Sequence, residues 1–286
     1  MRKILAFAAG ICVVAGTISS PAAWAEQPAA WSEPTEPFKI VDDIYYVGTK
    51  GLASYLIVSD GEAILLDGTL EENVGHIEQN IQALGFSVED VKIIINTHAH
   101  YDHAAGIAGL KRDTGAQVMA MEQERSALEN GRHEGDNIYG ATRFPAVKVD
   151  SVLHDGDTIS VGSVTMTATL TPGHTKGCTT WSMSAKDGAA TRQVVFPCSL
   201  TVAGNKLVGN AGHPAIVEDY EKSFEIVKSM KADIVLPAHP EFGDLFDRKA
   251  KRDAGDADAF VDPDLLRKLA ETSRAAFEKD LKAAQK

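Results

Sequence analysis

Cysteine is scarce in this chain, which has three cysteines among 286 residues. No two of them form a CxxC-type motif, so the common cysteine signature of a structural zinc site is absent. A chain of this length can bury a hydrophobic core without disulfide staples. The sequence therefore argues against a small fold held together mainly by disulfides.

Basic residues are also scarce relative to acidic ones. There are 28 Lys and Arg residues against 40 Asp and Glu residues, and the formal net charge is −12. An acidic protein repels phosphate backbones, so this composition argues against nucleic acid as a partner. The simplest interpretation of the charge is solubility, and we expect a monomer that acts on small molecules.

Long apolar runs are absent except near the N-terminus, where residues 4–16 (ILAFAAGICVVAG) follow Arg2 and Lys3. Together with the small residues of AWA, which end at Ala25, this pattern is typical of a secretory signal peptide. An uncleaved membrane anchor is the alternative, but the run is shorter than the ~20 residues that a span needs. We therefore predict a signal peptide at 1–25, a single mature domain at 26–286 without a membrane segment, and a location in the periplasm.

Cleavage after Ala25 changes the charge and the cysteine count of the remaining chain. It removes two positive charges and no negative ones, so the formal charge moves from −12 to −14. It leaves Cys178 and Cys198 as the only cysteines. Two cysteines in an oxidising compartment favour a disulfide, and zinc ligation by cysteine is the alternative that stays open here.

The mature chain alternates strand-like and helix-like segments. Periodicity and turn residues predict strands at 38–48, 53–60, 62–68, 91–96, 116–121, 163–174, 179–185, 192–202 and 233–240. Helices are predicted at 71–86, 104–115, 216–230 and from about Pro263 onwards. This order favours an α/β fold in which sheets lie between helices. Residues 131–145 have no periodicity, which predicts a long loop that borders a site.

Four residues of metal-ligand type lie within six positions after the apolar run VKIII: His98, His100, Asp102 and His103. Side chains alternate along a strand end, so His98 and His100 point to the same side. A turn into the next helix can bring the other two toward the same space. Imidazole and carboxylate ligands at this density indicate zinc, whereas chance clustering of polar residues is the weaker alternative. The spacing is not HExxH, so no glutamate is placed as a general base.

The segment HAHYDH resembles the HxHxDH signature of the metallo-β-lactamase superfamily. Three further segments resemble family motifs in the same order: ILLDG ending near Asp67, TPGHTKG with His174, and LPAHP with His239. The resemblance implies a four-layer αββα sandwich with a metal site at the edges of its two sheets. It also implies two zinc ions, the first held by His98, His100 and His174 and the second by Asp102, His103 and His239, with Asp67 supporting them.

The segment VVFPCSLTVAGN indicates the branch of the superfamily. Many branches place a metal-bridging carboxylate here and two classes of β-lactamase place a cysteine, whereas this chain has Ser199. An alignment shifted by one residue would instead make Cys198 a zinc ligand. The serine resembles subclass B3 metallo-β-lactamases, in which a hydroxyl pair, here Ser199 and Thr201, binds the substrate carboxylate. Satisfying backbone groups at a strand end is the alternative role for these hydroxyls. Cys178 and Cys198 lie on strands that are expected to be neighbours, which favours the disulfide.

The resemblance implies hydrolysis of the β-lactam amide bond of penicillins, cephalosporins and carbapenems by a zinc-bound hydroxide, which Asp102 orients. A lactonase or thioester hydrolase on the same fold is the nearest alternative, and a non-catalytic zinc-binding protein is the other. The remaining histidines are not expected to be ligands. His76 is predicted on a polar helix face, His133 in a solvated loop, and His154 and His213 beside turns.

Overall fold

The computed structural model describes residues 27–286, and its strands form two sheets. The predicted signal peptide at 1–25 lies outside these residues. The first sheet contains β1 (Phe38–Val41), β2 (Ile44–Tyr46), β3 (Tyr55–Ser59), β4 (Glu62–Leu66), β5 (Val91–Ile95), β6 (Gln117–Met121) and β7 (Ser151–Leu153). These strands are neighbours in chain order, antiparallel from β1 to β4 and parallel from β4 to β7.

The second sheet has the order β12-β11-β10-β9-β8. Its strands are β8 (Thr158–Val161), β9 (Val164–Leu170), β10 (Thr179–Asp187), β11 (Ala190–Phe196) and β12 (Ile234–Val235). All neighbours are antiparallel except β11 and β12, which are parallel. The helices are α1 (Val74–Ala83), α2 (Tyr101–Ala104), α3 (Ile107–Thr114), α4 (Arg125–Asn130), α5 (Ile216–Ser229), α6 (Leu245–Asp253) and α7 (Leu265–Ala284).

Three apolar clusters separate four layers. The central cluster lies between the sheets and joins Ile95 of β5 to Trp181 of β10 and Phe196 of β11. The residues next to them in sequence point to the opposite faces: Ile94 packs toward α1 and α3, and Val195 packs toward α5 and α7. This period-two alternation explains why both sheets are hydrophobic on each face. The αββα fold expected from the sequence is confirmed.

Several predicted elements are shorter than expected, for local reasons. The predicted strand 38–48 is two strands, because Asp42 adopts a left-handed conformation (φ 47°) in the turn between them. The predicted strand 192–202 ends at Phe196, since Pro197 has no N–H to donate to a neighbouring strand. The helix predicted at 104–115 is divided at Gly106, where the backbone passes so close to Gly68 that a side chain would collide with it. Both glycines lie beside the ligand segment.

Within residues 27–286, none of the helices is both long and apolar enough to cross a membrane.

Candidate metal centre

The segment that follows β5 is held in place by Asp67, at the end of β4. The Asp67 carboxylate, which is 1% exposed, accepts hydrogen bonds from the Thr97 backbone N–H (2.7 Å) and from the Thr97 hydroxyl (2.8 Å). On the other side, the Trp181 indole N–H donates to the carbonyl of Asn96 at 3.0 Å. The segment is therefore tied to both sheets immediately before His98. Asp67 itself adopts φ 64°, a conformation that aspartate tolerates better than most residues.

The first cluster of candidate ligands contains His98, His100 and His174, all buried. One ring nitrogen from each lies within 4.8 Å of those of the other two. The Nε2 atoms of His98 and His174 face each other at 3.1 Å. His98 lies three residues after the end of β5, His100 directly precedes α2, and His174 lies in the loop between β9 and β10.

The second cluster contains Asp102, His103 and His239, whose ligand atoms also lie within 4.8 Å of one another. The Asp102 Oδ2 atom is 3.3 Å from His103 Nε2 and 3.4 Å from His239 Nε2. The two histidine Nε2 atoms are 3.2 Å apart. Asp102 and His103 lie on α2, and His239 follows β12. The structure thus brings together all six residues that the sequence motifs placed in two sets of three.

The histidines of the two clusters differ in their pKa values. In the first cluster, burial lowers the pKa of His98 and His100 well below the usual range, and it lowers that of His174 to about 4. Burial opposes a charge on His103 as well, but the carboxylates of Asp102 and Asp67 outweigh it and raise its pKa to about 10. In the metal-free protein, the three imidazoles of the first cluster are therefore neutral, whereas His103 is protonated and pairs with the Asp102 carboxylate.

The orientation of His174 leaves its Nε2 free for a ligand role. The Nδ1–H donates to the Thr201 carbonyl at 2.7 Å, which assigns the proton to Nδ1. The same carbonyl accepts a hydrogen bond from the Tyr220 hydroxyl at 2.7 Å. The Asn205 side chain donates to the His174 carbonyl at 3.0 Å. Helix α5 thus supports the His174 imidazole through the segment after β11.

The two predicted hydroxyls line the same cleft as the clusters. Ser199 Oγ and Thr201 Oγ1 are 3.0 Å apart in a cleft of about 250 Å³ that also exposes His100, Asp102, His174 and His239. Ser199 Oγ also accepts a hydrogen bond from the Thr201 backbone N–H at 3.3 Å, so part of its hydrogen-bonding capacity is used by the backbone. Tyr139, from the predicted loop 131–145, lines the cleft as well.

Cys178 and Cys198 form a disulfide in the structure, with their Cα atoms 5.7 Å apart. The bond joins the residue before β10 to the segment after β11, directly beside Ser199. A bonded sulfur offers no thiolate, so the alternative alignment that made Cys198 a ligand is not realised.

One of the four remaining histidines differs from expectation. The prediction that His133 lies in a solvated loop is wrong: it is 5% exposed, its ring stacks on His100 at 4.6 Å between centroids, and its Nε2 accepts the Tyr101 backbone N–H at 3.2 Å. His213 directly precedes a turn, as predicted, and its buried Nε2 atom lies 2.7 Å from Asp219 Oδ2. Neither belongs to a ligand cluster.

His76 is half-buried and contacts the Gly48 carbonyl at 3.1 Å, whereas His154 is exposed. Two site residues were missed by the sequence analysis. The Trp31 ring lies 5.7 Å from that of His239, and Glu124 is a buried carboxylate beneath the first cluster. No motif surrounds either residue, so the sequence offered no signal for them.

Comparison with known proteins places this geometry in a family. Residues 48–239 match the family model of the metallo-β-lactamase superfamily. The structure is similar to that of BJP-1, a subclass B3 metallo-β-lactamase of Bradyrhizobium japonicum, with 43% sequence identity and a TM-score of 0.86. That match covers 90% of this chain and 97% of the other.

Curated relatives are more distant and are matched only in part. A probable metallo-hydrolase of Burkholderia pseudomallei is 27% identical over an alignment 153 residues long, which covers 48% of this chain and 52% of the relative. A hydroxyacylglutathione hydrolase of Bradyrhizobium sp. is 30% identical over 101 residues, which are 35% of this chain and 31% of the relative. The chain thus spans about half of the first relative and a third of the second. The family match, the fold and the two ligand clusters agree, and the chain belongs to the metallo-β-lactamase superfamily, with subclass B3 enzymes among its structural relatives.

Proposed function

We propose that this protein is a zinc-dependent β-lactamase that hydrolyses the amide bond of penicillins, cephalosporins and carbapenems. The observation that carries the proposal is the hydroxyl pair of Ser199 and Thr201 beside the two clusters. By the family resemblance of the segment after β11, these hydroxyls take the place of the metal-bridging carboxylate that is expected of other hydrolases with this fold. Likeness to a subclass B3 enzyme across 90% of the chain supports the same choice.

The donor set fits zinc. Nitrogen and carboxylate oxygen are ligands that zinc accepts, and three protein ligands per ion leave a position for water or substrate. The Nδ1–H of His174 donates to the Thr201 carbonyl, and the Nδ1–H of His98 donates to the Thr97 hydroxyl, whose own proton goes to Asp67. Both facing Nε2 atoms therefore present lone pairs, and a cation between them satisfies both. We propose that His98, His100 and His174 hold one zinc ion, and that Asp102, His103 and His239 hold a second.

Zinc, when bound, supplies a Lewis acid and lowers the pKa of a coordinated water toward neutrality. The protein's own groups then have separate tasks. Asp102 directs Oδ2 at both histidines of its cluster, which leaves Oδ1 to accept a hydrogen bond from the attacking water and orient it. Ser199 and Thr201 bind the substrate carboxylate. The Ser199 hydroxyl contacts Thr201 rather than a histidine base, so it is not arranged as a nucleophile.

A thioester or lactone hydrolase is the second candidate function, because a hydroxyacylglutathione hydrolase is among the relatives. No carboxylate belongs to both ligand groups identified among residues 27–286, which weighs against this candidate. A substrate panel separates the two candidates directly.

The experiment that tests the proposal follows the ultraviolet absorbance of a carbapenem with purified protein. We expect rapid loss of absorbance with zinc-loaded protein, no loss after chelation, and recovery when zinc is restored. The same preparations are then given a lactone and a thioester as comparison substrates. No carbapenem loss in the zinc-loaded sample, with turnover of either comparison substrate, would replace the β-lactamase proposal with the second candidate.

Removing one hydroxyl of the pair tests carboxylate binding. We expect Ser199→Ala to raise KM for a carbapenem about 10- to 100-fold and to change kcat much less, because a hydrogen bond to a charged group contributes about 1.5–3 kcal/mol. Steady-state kinetics measure both constants. Ser160→Ala is the matched control, since its hydroxyl pairs with Thr165 at 2.9 Å on an exposed face. An unchanged KM for Ser199→Ala would count against this role.

Acidification is expected to destabilise the zinc-free protein. The buried histidines His98, His100, His133 and His174 have lowered pKa values, about 4 for the last two. The unfolded chain therefore takes up protons first as the pH falls below about 6.5, and the stability that these groups contribute is lost toward pH 4. His103, with its pKa raised to about 10, acts in the opposite sense and loses its contribution as the pH rises from about 6.5 to 10.

We expect the free energy of unfolding of zinc-free protein to be a few kcal/mol lower at pH 5 than at pH 7. Urea unfolding at the two pH values measures the difference. His154→Ala should show the same pH dependence as the wild type, because that side chain is 64% exposed. Equal stability at pH 5 and pH 7 would contradict the expectation.

The proposed place of action is the periplasm, where β-lactams meet cell-wall synthesis. This part of the proposal depends on the predicted signal peptide and on its cleavage after Ala25. A monomeric state likewise stays a prediction.

A further inference from the structure

Glu124 is a buried carboxylate that has no part in the chemistry proposed above. It lies in the short turn between β6 and α4 and is 2% exposed. Its Oε2 atom accepts the backbone N–H of Ala99 at 2.5 Å, and its Oε1 atom accepts the backbone N–H of Gly177 at 2.8 Å. Ala99 separates His98 from His100, and Gly177 follows His174 by three residues. One side chain thus joins the two chain segments that supply the three-histidine cluster.

An ionised glutamate carboxylate satisfies this arrangement, although burial raises the pKa of Glu124. Each of its two oxygens faces a backbone N–H donor, so both must act as acceptors. A glutamine would present an NH₂ group to one of these donors and leave that buried N–H without a partner. No Lys, Arg or His lies within ion-pair distance of Glu124 in residues 27–286. Burying a charge in this way is costly unless its hydrogen bonds are met, as they are here by the two N–H groups.

Gly177, on the opposite side of the contact, leaves the space that the Glu124 side chain occupies. A Cβ atom at Gly177 would lie 2.6 Å from Glu124 Cγ and 2.8 Å from the Glu124 backbone nitrogen. Both distances are shorter than non-bonded contacts allow, so only glycine permits this approach. The close packing and the paired acceptors are separate observations that indicate the same function for the contact.

We propose that Glu124 is a positioning residue that sets the distance between the His98–His100 segment and the His174 loop. It thereby determines the geometry of the three-histidine metal site. The inference rests on the proposed function, in which these three histidines hold zinc. The two hydrogen bonds of the Glu124 carboxylate come from Ala99 and Gly177, and none comes from Asp102, His103 or His239. We therefore expect a change at Glu124 to affect the three-histidine site only.

The test compares Glu124→Gln with Glu122→Gln. Glu122 belongs to the same turn, but its side chain is 61% exposed and contacts His154 at the surface. Zinc affinity is measured on zinc-free protein by competition with a chromophoric chelator. Anomalous diffraction from crystals at limiting zinc then gives the occupancy of each site. We expect Glu124→Gln to weaken zinc binding about 10- to 100-fold at the three-histidine site only, the range typical for groups that orient metal ligands. Glu122→Gln should bind zinc like the wild type.

Two results would overturn this inference: unchanged affinity at the three-histidine site, or an equal loss at both sites, which would make Glu124 a purely structural residue. Circular dichroism confirms that the variants are folded. If Glu124→Gln does not fold, Gly177→Ala carries the same test, because it disturbs the contact and keeps the carboxylate. Failure of the wild-type protein to take zinc at the three-histidine site is a different result, since it would refute the proposed function itself.

Discussion

His100→Ala is expected to lose zinc from the three-histidine site and to lower kcat/KM for a carbapenem by about a thousandfold or more, while the protein remains folded. A metal ion in such a site contributes several kcal/mol of transition-state stabilisation, and each 1.36 kcal/mol corresponds to a factor of ten in rate. His100 is the residue before α2, so its loss removes a ligand without removing part of a strand or a core helix.

The measurements are zinc content, far-ultraviolet circular dichroism and steady-state kinetics on the same preparation. His154→Ala is the matched control, because that histidine is exposed and lies outside both clusters. We expect the control to keep its zinc and its activity. Wild-type turnover by His100→Ala would remove His100 from the ligand set and with it the assignment of the first site.

Loss of the disulfide is expected to lower the free energy of unfolding by about 3 kcal/mol. Cys178 and Cys198 are 20 residues apart in sequence, and closing a loop of that size restricts the unfolded chain by about this amount in the chain-entropy description. The test is urea unfolding of the double variant Cys178→Ser and Cys198→Ser beside the wild type. The bond lies next to Ser199, so KM for a carbapenem is measured on the same samples.

Reduction provides the internal control for that experiment. A thiol reductant under denaturing conditions should lower the stability of the wild-type protein to that of the double variant and should leave the double variant unchanged. A double variant as stable as the oxidised wild type would show that the bond contributes little. An equal response of both proteins to reductant would point to an effect unrelated to these two cysteines.

Much of the fold could be predicted from local patterns. Strand 91–95 and helix 216–229 match the expected segments closely, because their periodicity is strong and their ends carry clear signals. Helix α6 and the short strands β7 and β8 were not predicted. These elements are short or lack a continuous apolar pattern, so tertiary contacts decide their conformation.

In the candidate site, too, some residues could be predicted from local patterns and others could not. His98, His100, Asp102 and His103 are close in sequence, so their proximity in space follows from the strand and the turn that carry them. His174 and His239 were placed with them only through resemblance to a family, since no local rule relates positions 76 or more residues from His98.

By itself, the sequence determined the α/β order of the elements and the density of metal ligands after β5. Its resemblance to a family added the αββα fold, the two sets of three ligands and the hydroxyls in place of a carboxylate after β11. The tertiary structure alone decided how closely the ligand atoms approach one another, that His133 is buried and what Glu124 contacts. The physical reason is that periodicity and motifs describe neighbours along the chain. The distance between the His98 segment and the His174 loop depends instead on how two sheets pack and on a single buried carboxylate between them.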